Sequence, residues 1–276
     1  MEYKYLICEG YIEIIKYLGK DQEIVIPSEI KGLPVKVIGE YAFADNMFIK
    51  NIVINTNVTE IRSFAFLFCE KLENVDIPIT VKSIGESAFE GCISLKRISI
   101  PPVKEISKST FEECSSLSYV EIPDSVEIIG ERAFEFCLNL CEVKLYPGIK
   151  QILNGAFFCC RRLKQFDMPD TVYQTGKEIL LGCRKLERVH LSDSLKKIEV
   201  GLLARCRALK EIEVPDKVEI ICNGAFAECS SCENFYLRNI DIKIGVRVFE
   251  GCNKLLRNEA FTRTMKKHLE NKIGEK

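Results

Sequence analysis

The chain has no tryptophan and only two histidines among its 276 residues. Its formal charge at pH 7 is −1, from 39 basic and 40 acidic side chains that are interspersed. Nucleic-acid-binding domains carry a basic excess, so this balance argues against a nucleic-acid partner. Apolar runs fall far short of the roughly 18 residues of a membrane-spanning helix, so we expect no membrane partner either.

The first residues, MEYKYLICEGYIEIIKYLGK, contain no signal-peptide core, because Glu, Gly and Lys interrupt every apolar stretch. This favours a cytoplasmic protein. A location at the cell surface or outside the cell stays open if a leader has been removed.

Motifs for phosphate, dinucleotide and catalytic zinc binding are missing. Neither His190 nor His268 comes with a Ser or Cys partner in a recognisable motif, so a catalytic triad is not indicated. We therefore predict no enzymatic activity and no cofactor.

Cysteine, in contrast, is abundant, with 14 copies. The phrase A-F-x-x-C recurs every 23 residues, with one step of 22, and its aromatic position is held by Phe43, Phe66, Phe89, Phe111, Phe134, Phe157, Leu180, Leu203, Phe226 and Phe249. Three positions later stand Asn46 and then Cys69, Cys92, Cys114, Cys137, Cys160, Cys183, Cys206, Cys229 and Cys252. Such regular internal repetition indicates a solenoid.

The full unit reads I-G-x-x-A-F-x-x-C-x-x-L-x-x-I-x-I-P-x-x-V. The alternating L-x-x-I-x-I segment predicts a short strand with one buried face, which the following Pro ends. V-x-x-I predicts an extended return segment, and Gly85 or Gly130 permits the turn after it. A-F-x-x-C places Ala, Phe and Cys on one side of a single helical turn. Stacked units bury these apolar faces in one continuous core.

This unit resembles the BspA-type, or Treponema pallidum-type, leucine-rich repeat over roughly residues 22–257, and residues 22–43 resemble the usual first repeat of that family. The resemblance implies an α/β, β-rich leucine-rich-repeat solenoid. Its expected architecture is one long parallel concave sheet, with short extended segments and single helical turns on the convex side. The chain departs from the pattern where Leu replaces the aromatic (Leu180, Leu203) and where Pro is replaced by Asn55, Tyr146, Ser192 and Arg238.

We predict a single domain, residues 1–276. It consists of an N-terminal cap hairpin (1–21), about ten repeats (22–257) and a C-terminal capping helix (258–276). The helix is indicated by an apolar stripe, with Asn258 as N-cap and Gly274 as the stop, and the stripe is formed by Phe261, Met265, Leu269 and Ile273.

The nine cysteines of the repeat, which we call the cysteine ladder, are expected about 4.8 Å apart, one strand spacing. We predict that they are buried and reduced, with Cys92 between Cys69 and Cys114, because free Cys behaves as a small hydrophobe. The same spacing would allow disulfide mispairing, which favours a reducing compartment. Cys8 and Cys141 lie off the ladder, and a regulatory role for them stays open.

The strand positions eight and ten residues after the aromatic vary freely, whereas the inner positions keep one residue type. Because solenoids bind partners on extended concave sheets, these positions are candidates for protein binding. Tyr and Arg are favoured anchors, and the predicted residues are Arg97, Tyr119, Glu121, Lys144, Arg188, His190 and Tyr236. The alternative interpretation is that these residues are ordinary solvated side chains with no role in binding.

These observations predict a non-enzymatic, monomeric protein that binds an unidentified protein partner through its concave sheet. The family resemblance makes a surface adhesin or host-interaction protein the alternative. Cys229-Ser-Ser-Cys232 keeps a cysteine-dependent or metal-binding protein open, although zinc would need a second pair or nearby histidines. A purely structural spacer is the remaining hypothesis.

Overall fold

The computed structural model of the protein describes residues 2–239, 241–263 and 265. Its N-terminal part contains five strands, β1 (Tyr3–Cys8), β2 (Tyr11–Tyr17), β3 (Glu23–Val25), β4 (Glu29–Ile30) and β5 (Leu33–Ile38). Strands β1 and β2 form an antiparallel hairpin, and β2 pairs in parallel with β5. The hairpin therefore covers one end of the sheet that begins at β5.

Every later repeat contributes two short strands. In chain order these are β6 (Asn51–Val53), β7 (Glu60–Ile61), β8 (Asn74–Asp76), β9 (Ser83–Ile84), β10 (Arg97–Ile98), β11 (Glu105–Ile106), β12 (Tyr119–Glu121), β13 (Ile128–Ile129), β14 (Glu142–Lys144), β15 (Gln151–Ile152), β16 (Gln165–Asp167), β17 (Gln174–Thr175), β18 (Arg188–His190), β19 (Lys197–Ile198), β20 (Glu211–Glu213), β21 (Ile220–Ile221), β22 (Asn234–Tyr236) and β23 (Lys243–Ile244).

These strands stack into two parallel ladders. The first ladder consists of β3 and the even-numbered strands β6–β22, which come from the L-x-x-I-x-I segments. The second ladder consists of β5 and the odd-numbered strands β7–β23, so the expected extended return segments also pair with one another. Equivalent residues lie opposite each other, such as Ile52 and Val75 in the first ladder and Ile61 and Ile84 in the second. The predicted solenoid of parallel sheets is confirmed.

One continuous apolar core runs between the ladders and the turns. The Ala, aromatic, Cys and Leu positions of the A-F-x-x-C-x-x-L phrase are buried in repeat after repeat. The aromatic rings from Phe43 to Phe157 stack with centroid distances of 5.0–5.7 Å. Leu180 and Leu203 then replace the rings and are fully buried as well. Stacked units thus share the core that no single unit could form.

The A-F-x-x-C phrases fold as consecutive turns. The N–H of Cys69 bonds the carbonyl of Phe66, three residues earlier, at 3.2 Å. The backbone φ is positive two residues before and after the aromatic, as at Phe64 (60°) and Phe68 (53°). This alternation turns the N–H groups of Phe64 and Phe68 toward the next repeat, where they bond the carbonyls of Glu86 and Glu90 at 2.9 and 2.8 Å. The phrase is therefore a series of turns with alternating positive φ, and not the regular helical turn that the sequence predicted, because part of its hydrogen bonding goes to the next repeat.

Glycine recurs at one position of the repeat for a steric reason. A Cβ at Gly85 would lie 2.4 Å from the backbone nitrogen of Ser63, and one at Gly130 would lie 2.6 Å from the carbonyl oxygen of Ile106. Neither glycine has a positive φ. Close approach of the preceding repeat, rather than an unusual turn conformation, therefore requires glycine here.

The solenoid ends in short helical segments. Helix α1 spans Asn253–Leu256, and residues 259–263 are helical. The Asn258 side chain caps the second segment, because its Oδ1 accepts hydrogen bonds from the N–H groups of Ala260 (2.9 Å) and Phe261 (3.2 Å). Phe261 packs edge-on against Phe249 at 5.0 Å. The rest of the predicted helix, with His268, Leu269, Ile273 and Gly274, lies outside the described residues.

Within the described part of the chain, no helix is long and apolar enough to cross a membrane.

Candidate binding face of the first ladder

The outward residues of the first ladder form one continuous face, because the parallel register places each of them beside its equivalent in the next repeat. Tyr119 lies opposite Glu142, and Glu121 lies opposite Lys144. Between the two outward positions, Val120 points into the core and is fully buried, whereas Tyr119 is 38% exposed. The alternation of the strand thus separates the core from the variable face.

Three of these side chains, together with Tyr146 just after β14, form a hydrogen-bonded cluster centred on the Glu121 carboxylate. Tyr119 donates its hydroxyl to Oε2 of Glu121 at 3.1 Å, and Lys144 donates its Nζ to Oε1 at 3.1 Å. Tyr146 donates a third, short hydrogen bond to Oε1. The Lys144 ammonium also lies 4.8 Å from the centre of the Tyr146 ring, within cation–π range. We call this set the tyrosine cluster.

The electrostatics of the tyrosine cluster follow from these contacts. Hydrogen bonds from Tyr146, Lys144 and Tyr119 hold the pKa of Glu121 below its usual value. The pKa of Lys144 is raised, chiefly by its contacts with Tyr146 and Glu121. The pKa of Tyr119 is raised by partial desolvation and by its hydrogen bond to Glu121. At neutral pH the cluster therefore contains the ionised pair of Glu121 and Lys144 beside a neutral Tyr119.

The tyrosine cluster borders an open groove of about 950 Å³. The groove lies where regular pairing between β10 and β12 is interrupted. Arg97 and Ser99 line one side of it, and Tyr119, Glu121 and Tyr146 line the other. Four of the seven predicted residues, Arg97, Tyr119, Glu121 and Lys144, thus come together around one site.

Arg188 and His190 lie farther along the same face. Arg188 donates from Nη2 to Oε1 of Gln165 at 2.8 Å, across the pair of strands β16 and β18. His190 Nε2 lies 3.4 Å from Oδ1 of Asp170. The pKa of Asp170 is lowered, first by a hydrogen bond from the N–H of Asp193 and then by His190. Arg188 and His190 line a shallow groove of about 290 Å³ together with Gln165, Asp167 and Glu211.

A third group surrounds Arg238. Its guanidinium lies 3.4 Å from Glu213 and 3.6 Å from Asp216. Together with His190, these residues line a groove of about 440 Å³ where the pairing between β18 and β20 is interrupted. The predicted Tyr236 is 49% exposed and lies opposite Glu213 in the ladder. Of the three remaining predicted residues, His190 lines this groove, whereas Arg188 lines the groove of about 290 Å³ and Tyr236 lines one of about 410 Å³.

Tyr146 and Arg238 were not among the predicted site residues. Both stand where the repeat normally places the Pro that ends the strand. Of the other two departures at that position, Asn55 donates to the carbonyl of Pro27 at 2.8 Å and Ser192 to that of Val172 at 2.6 Å. The absence of the Pro therefore points to candidate site positions in the sequence. Of the four replacements, however, only Tyr146 and Arg238 lie on the outward face of the first ladder.

The cysteine ladder is buried and its thiols are free. Burial raises the pKa of the Cys92 thiol well above its usual value, and Cys114 and Cys69 are the neighbours that add to the shift. Of the off-ladder thiols, Cys141 is exposed and Cys8 is half-buried.

The C-x-x-C pair is part of the core. Cys229 and Cys232 are both fully buried, and the Cys232 thiol donates to the carbonyl of Asn234 at 3.3 Å. Among the described residues, no group of three or more His, Cys, Asp or Glu side chains could hold a metal ion.

Comparison with known proteins identifies the class as the leucine-rich repeat solenoids. The family described as the BspA type leucine rich repeat region (6 copies) matches residues 36–161, 104–233 and 150–268. These matches span most of the chain, which therefore belongs to the BspA-type leucine-rich repeat family, as the sequence pattern predicted. No curated protein matches the chain significantly.

Solved structures of similar proteins share the fold. A leucine-rich repeat protein from Bacteroides ovatus is 25% identical, with 92% of each chain covered and a TM-score of 0.60. A leucine rich cell surface protein from Faecalibacterium prausnitzii is 22% identical, with 92% of each chain covered and a TM-score of 0.55. The pneumococcal vaccine antigen PcpA is 17% identical over 92% of this chain and 78% of its own, with a TM-score of 0.53.

Proposed function

We propose that this BspA-type protein binds another protein through the outward face of the first ladder, without catalysing a reaction. The observation that carries the proposal is the tyrosine cluster beside its open groove. Tyr and Arg are enriched among the residues that dominate protein interfaces, and here Tyr119, Tyr146 and Arg97 share one recess.

The cluster suits binding because its side chains are already held in place. Glu121 fixes both tyrosine hydroxyls and the Lys144 ammonium by hydrogen bonds. Side chains that are ordered before association lose less conformational freedom when a partner arrives. The rings of Tyr119 and Tyr146 are thus available as rigid anchors, and the ionised pair gives the site polarity.

We further propose display at the cell surface, the alternative to the cytoplasmic location that the sequence favoured. The Faecalibacterium prausnitzii relative of this fold is described as a cell surface protein. The cysteine ladder does not oppose this location, since each of its thiols is buried and hydrogen-bonded to a backbone carbonyl. Inaccessible thiols with raised pKa values are poor substrates for disulfide exchange.

The test of the binding proposal is affinity capture from host and neighbouring cells, followed by titration of the purified partner. The variant Tyr119→Ala, Tyr146→Ala, Arg97→Ala should weaken binding of that partner by about a hundredfold, a size typical of removing several anchors. The control is Tyr173→Ala, which removes an exposed tyrosine beside the second ladder. Unchanged affinity in the triple variant would contradict the proposal.

A further inference from the structure

A further groove adjoins the one beside the tyrosine cluster, since Ser118 lines both, and it lies on the segment that leads from each turn into the first ladder. Its volume is about 700 Å³. The floor consists of the positions five and seven residues after the aromatic in two successive repeats, Ser116 and Ser118 followed by Asn139 and Cys141. We call it the basic groove, because of the side chains that enclose it.

The floor is low because its side chains are small and the backbone beneath them is tightly stacked. The N–H of Asn139 bonds the carbonyl of Ser115 at 3.1 Å, and the N–H of Cys141 bonds that of Ser118 at 3.0 Å. The Cys141 thiol also donates to the Ser118 carbonyl at 3.1 Å. The floor therefore presents two hydroxyls, an amide and a thiol to solvent, with no aromatic or aliphatic side chain.

Cations enclose the floor. Arg162, Lys164 and Lys185 form one end, and Lys96 forms the other. Arg162 reaches back to the floor, where it donates to Oδ1 of Asn139 at 3.1 Å. Among the described residues, Glu187 is the single carboxylate that lines the groove.

Most of this positive charge is not neutralised. Lys96 is paired with Glu73, but in the described part of the chain Arg162, Lys164 and Lys185 form no ion pair. Just outside the groove the exposed Arg161 and Arg184 add two further positive charges. A nearly neutral protein thus concentrates five cations in two adjacent repeats, where mutual repulsion opposes folding unless an anion compensates.

The dimensions favour an extended ligand. The lining spans five repeats, from Lys96 to Lys185, or four steps of about 4.8 Å, which gives a length of roughly 19 Å. A single small anion would contact only one end of such a groove. A chain with several charges could contact both ends and lie across the floor between them.

The geometry points to an anionic polysaccharide, a sulfated or uronate-rich glycan chain, as the ligand of the basic groove. Sulfate or carboxylate groups would pair with Arg162, Lys164 and Lys185, and sugar hydroxyls would exchange hydrogen bonds with Ser116, Ser118 and Asn139. Single-stranded nucleic acid fits less well, because none of the described residues that line the groove offers an aromatic ring for base stacking. A protein segment fits less well too, because these residues include no aliphatic side chain to hold an anchor residue.

The test is calorimetric titration of the full chain with two probes, a heparin octasaccharide and an oligogalacturonate of similar length, in about 0.15 M salt. Binding of at least one probe is expected. The variant Arg162→Gln, Lys164→Gln, Lys185→Gln should weaken it at least about tenfold, and the dependence of affinity on salt should become shallower, since fewer counterion-releasing contacts remain.

The matched control removes three exposed lysines elsewhere, Lys82→Gln, Lys177→Gln and Lys196→Gln, and so changes the net charge equally. It should bind like the unmodified chain. An equal loss in both variants would show diffuse charge attraction and overturn the proposal. The proposal is also overturned if neither glycan binds, or if an oligothymidylate or a polyglutamate peptide binds as tightly as the glycans.

The exposed thiol of Cys141 lies on the floor of the basic groove, so its rate of alkylation reports ligand binding without any substitution. Bound octasaccharide should slow alkylation of Cys141, followed by peptide mass spectrometry, while alkylation of Cys8 on the N-terminal hairpin stays unchanged. Binding without protection of Cys141 would place the ligand elsewhere and refute the site. These results are independent of the protein-binding face, since none of its predicted residues lines the basic groove.

Discussion

The thiol of Cys92 donates a hydrogen bond to the backbone carbonyl of Phe66 in the preceding repeat, with an S···O distance of 3.2 Å. The same bond recurs in every repeat that carries the cysteine, from Cys69 to Cys252. Cysteine at this position therefore supplies both core volume and a hydrogen-bond donor that links successive repeats.

Because Cys92 both fills core volume and donates a hydrogen bond, we predict the effects of alanine and serine at this position of the ladder. Cys92→Ala should lower the free energy of unfolding by about 1–3 kcal/mol, since it removes packed atoms and the donor. Cys92→Ser keeps a donor and should cost no more than alanine. Urea denaturation in reducing buffer measures both. If serine is clearly worse than alanine, the position is only a hydrophobic one and the linking bond contributes little.

Thiol reactivity should follow burial. Cys141 should react quickly with a maleimide, and the half-buried Cys8, Cys159 and Cys222 more slowly. The ladder thiols from Cys69 to Cys229 should not react until the chain is unfolded, because burial hides them and raises their pKa values. Counting labelled cysteines by mass spectrometry, with and without denaturant, checks this. Labelling of ladder cysteines in the folded protein would contradict the stacked core.

A substitution at one position of the second ladder should increase the stability of the protein. Thr175 is buried where the neighbouring repeats place Ile, and its hydroxyl has no hydrogen-bond partner among the described residues. Thr175→Val should therefore stabilise the protein by about 1–2 kcal/mol. The control is Thr110→Val, because the buried Thr110 hydroxyl donates to the carbonyl of Ser107 at 2.7 Å. An equal effect of the two substitutions would mean that the unpaired hydroxyl is not the cause.

Stability should also respond to the protonation of Glu135. Partial burial, together with the nearby carboxylate of Glu112, raises the pKa of Glu135 to about 7, although Arg132 opposes the shift. Since the unfolded value is about 4.3, the folded state holds the extra proton between these pH values. The free energy of unfolding should therefore fall as pH rises from about 4.3 to 7.

The substitution Glu135→Gln should remove this part of the pH dependence and raise the melting temperature at pH 8. Glu250→Gln is the matched control, since Glu250 holds the same repeat position and faces an arginine three residues earlier, but is exposed. Thermal melts between pH 4 and pH 8 give the comparison. Parallel pH profiles for Glu135→Gln and the unmodified chain would show that Glu135 does not titrate in this window.

The repeat period made most of the fold predictable. A residue type that recurs every 23 positions must face one environment, so the buried aromatic, cysteine and leucine rows could be read directly. The direction in which each ladder thiol points could not be predicted from the sequence, because it depends on the position of a backbone carbonyl in the preceding repeat. The role of Gly85 was likewise hidden, since its contact is with Ser63, one repeat earlier.

The candidate face was predictable only in part. Alternation along each strand identifies outward positions such as Tyr119 and Lys144. It does not show that both converge on Glu121, or that Tyr146 joins them from the next turn. The basic groove was not predicted at all, because its cations are balanced by acidic residues elsewhere and only stacking brings them together.

The binding face is tested most directly by a photo-crosslinking amino acid placed at Tyr119 or, as the control, at Tyr173. With the partner captured by the unmodified chain, a covalent adduct is expected from position 119 and none from position 173. Adducts from position 173 without any from position 119 would contradict the assignment of the first ladder as the binding face.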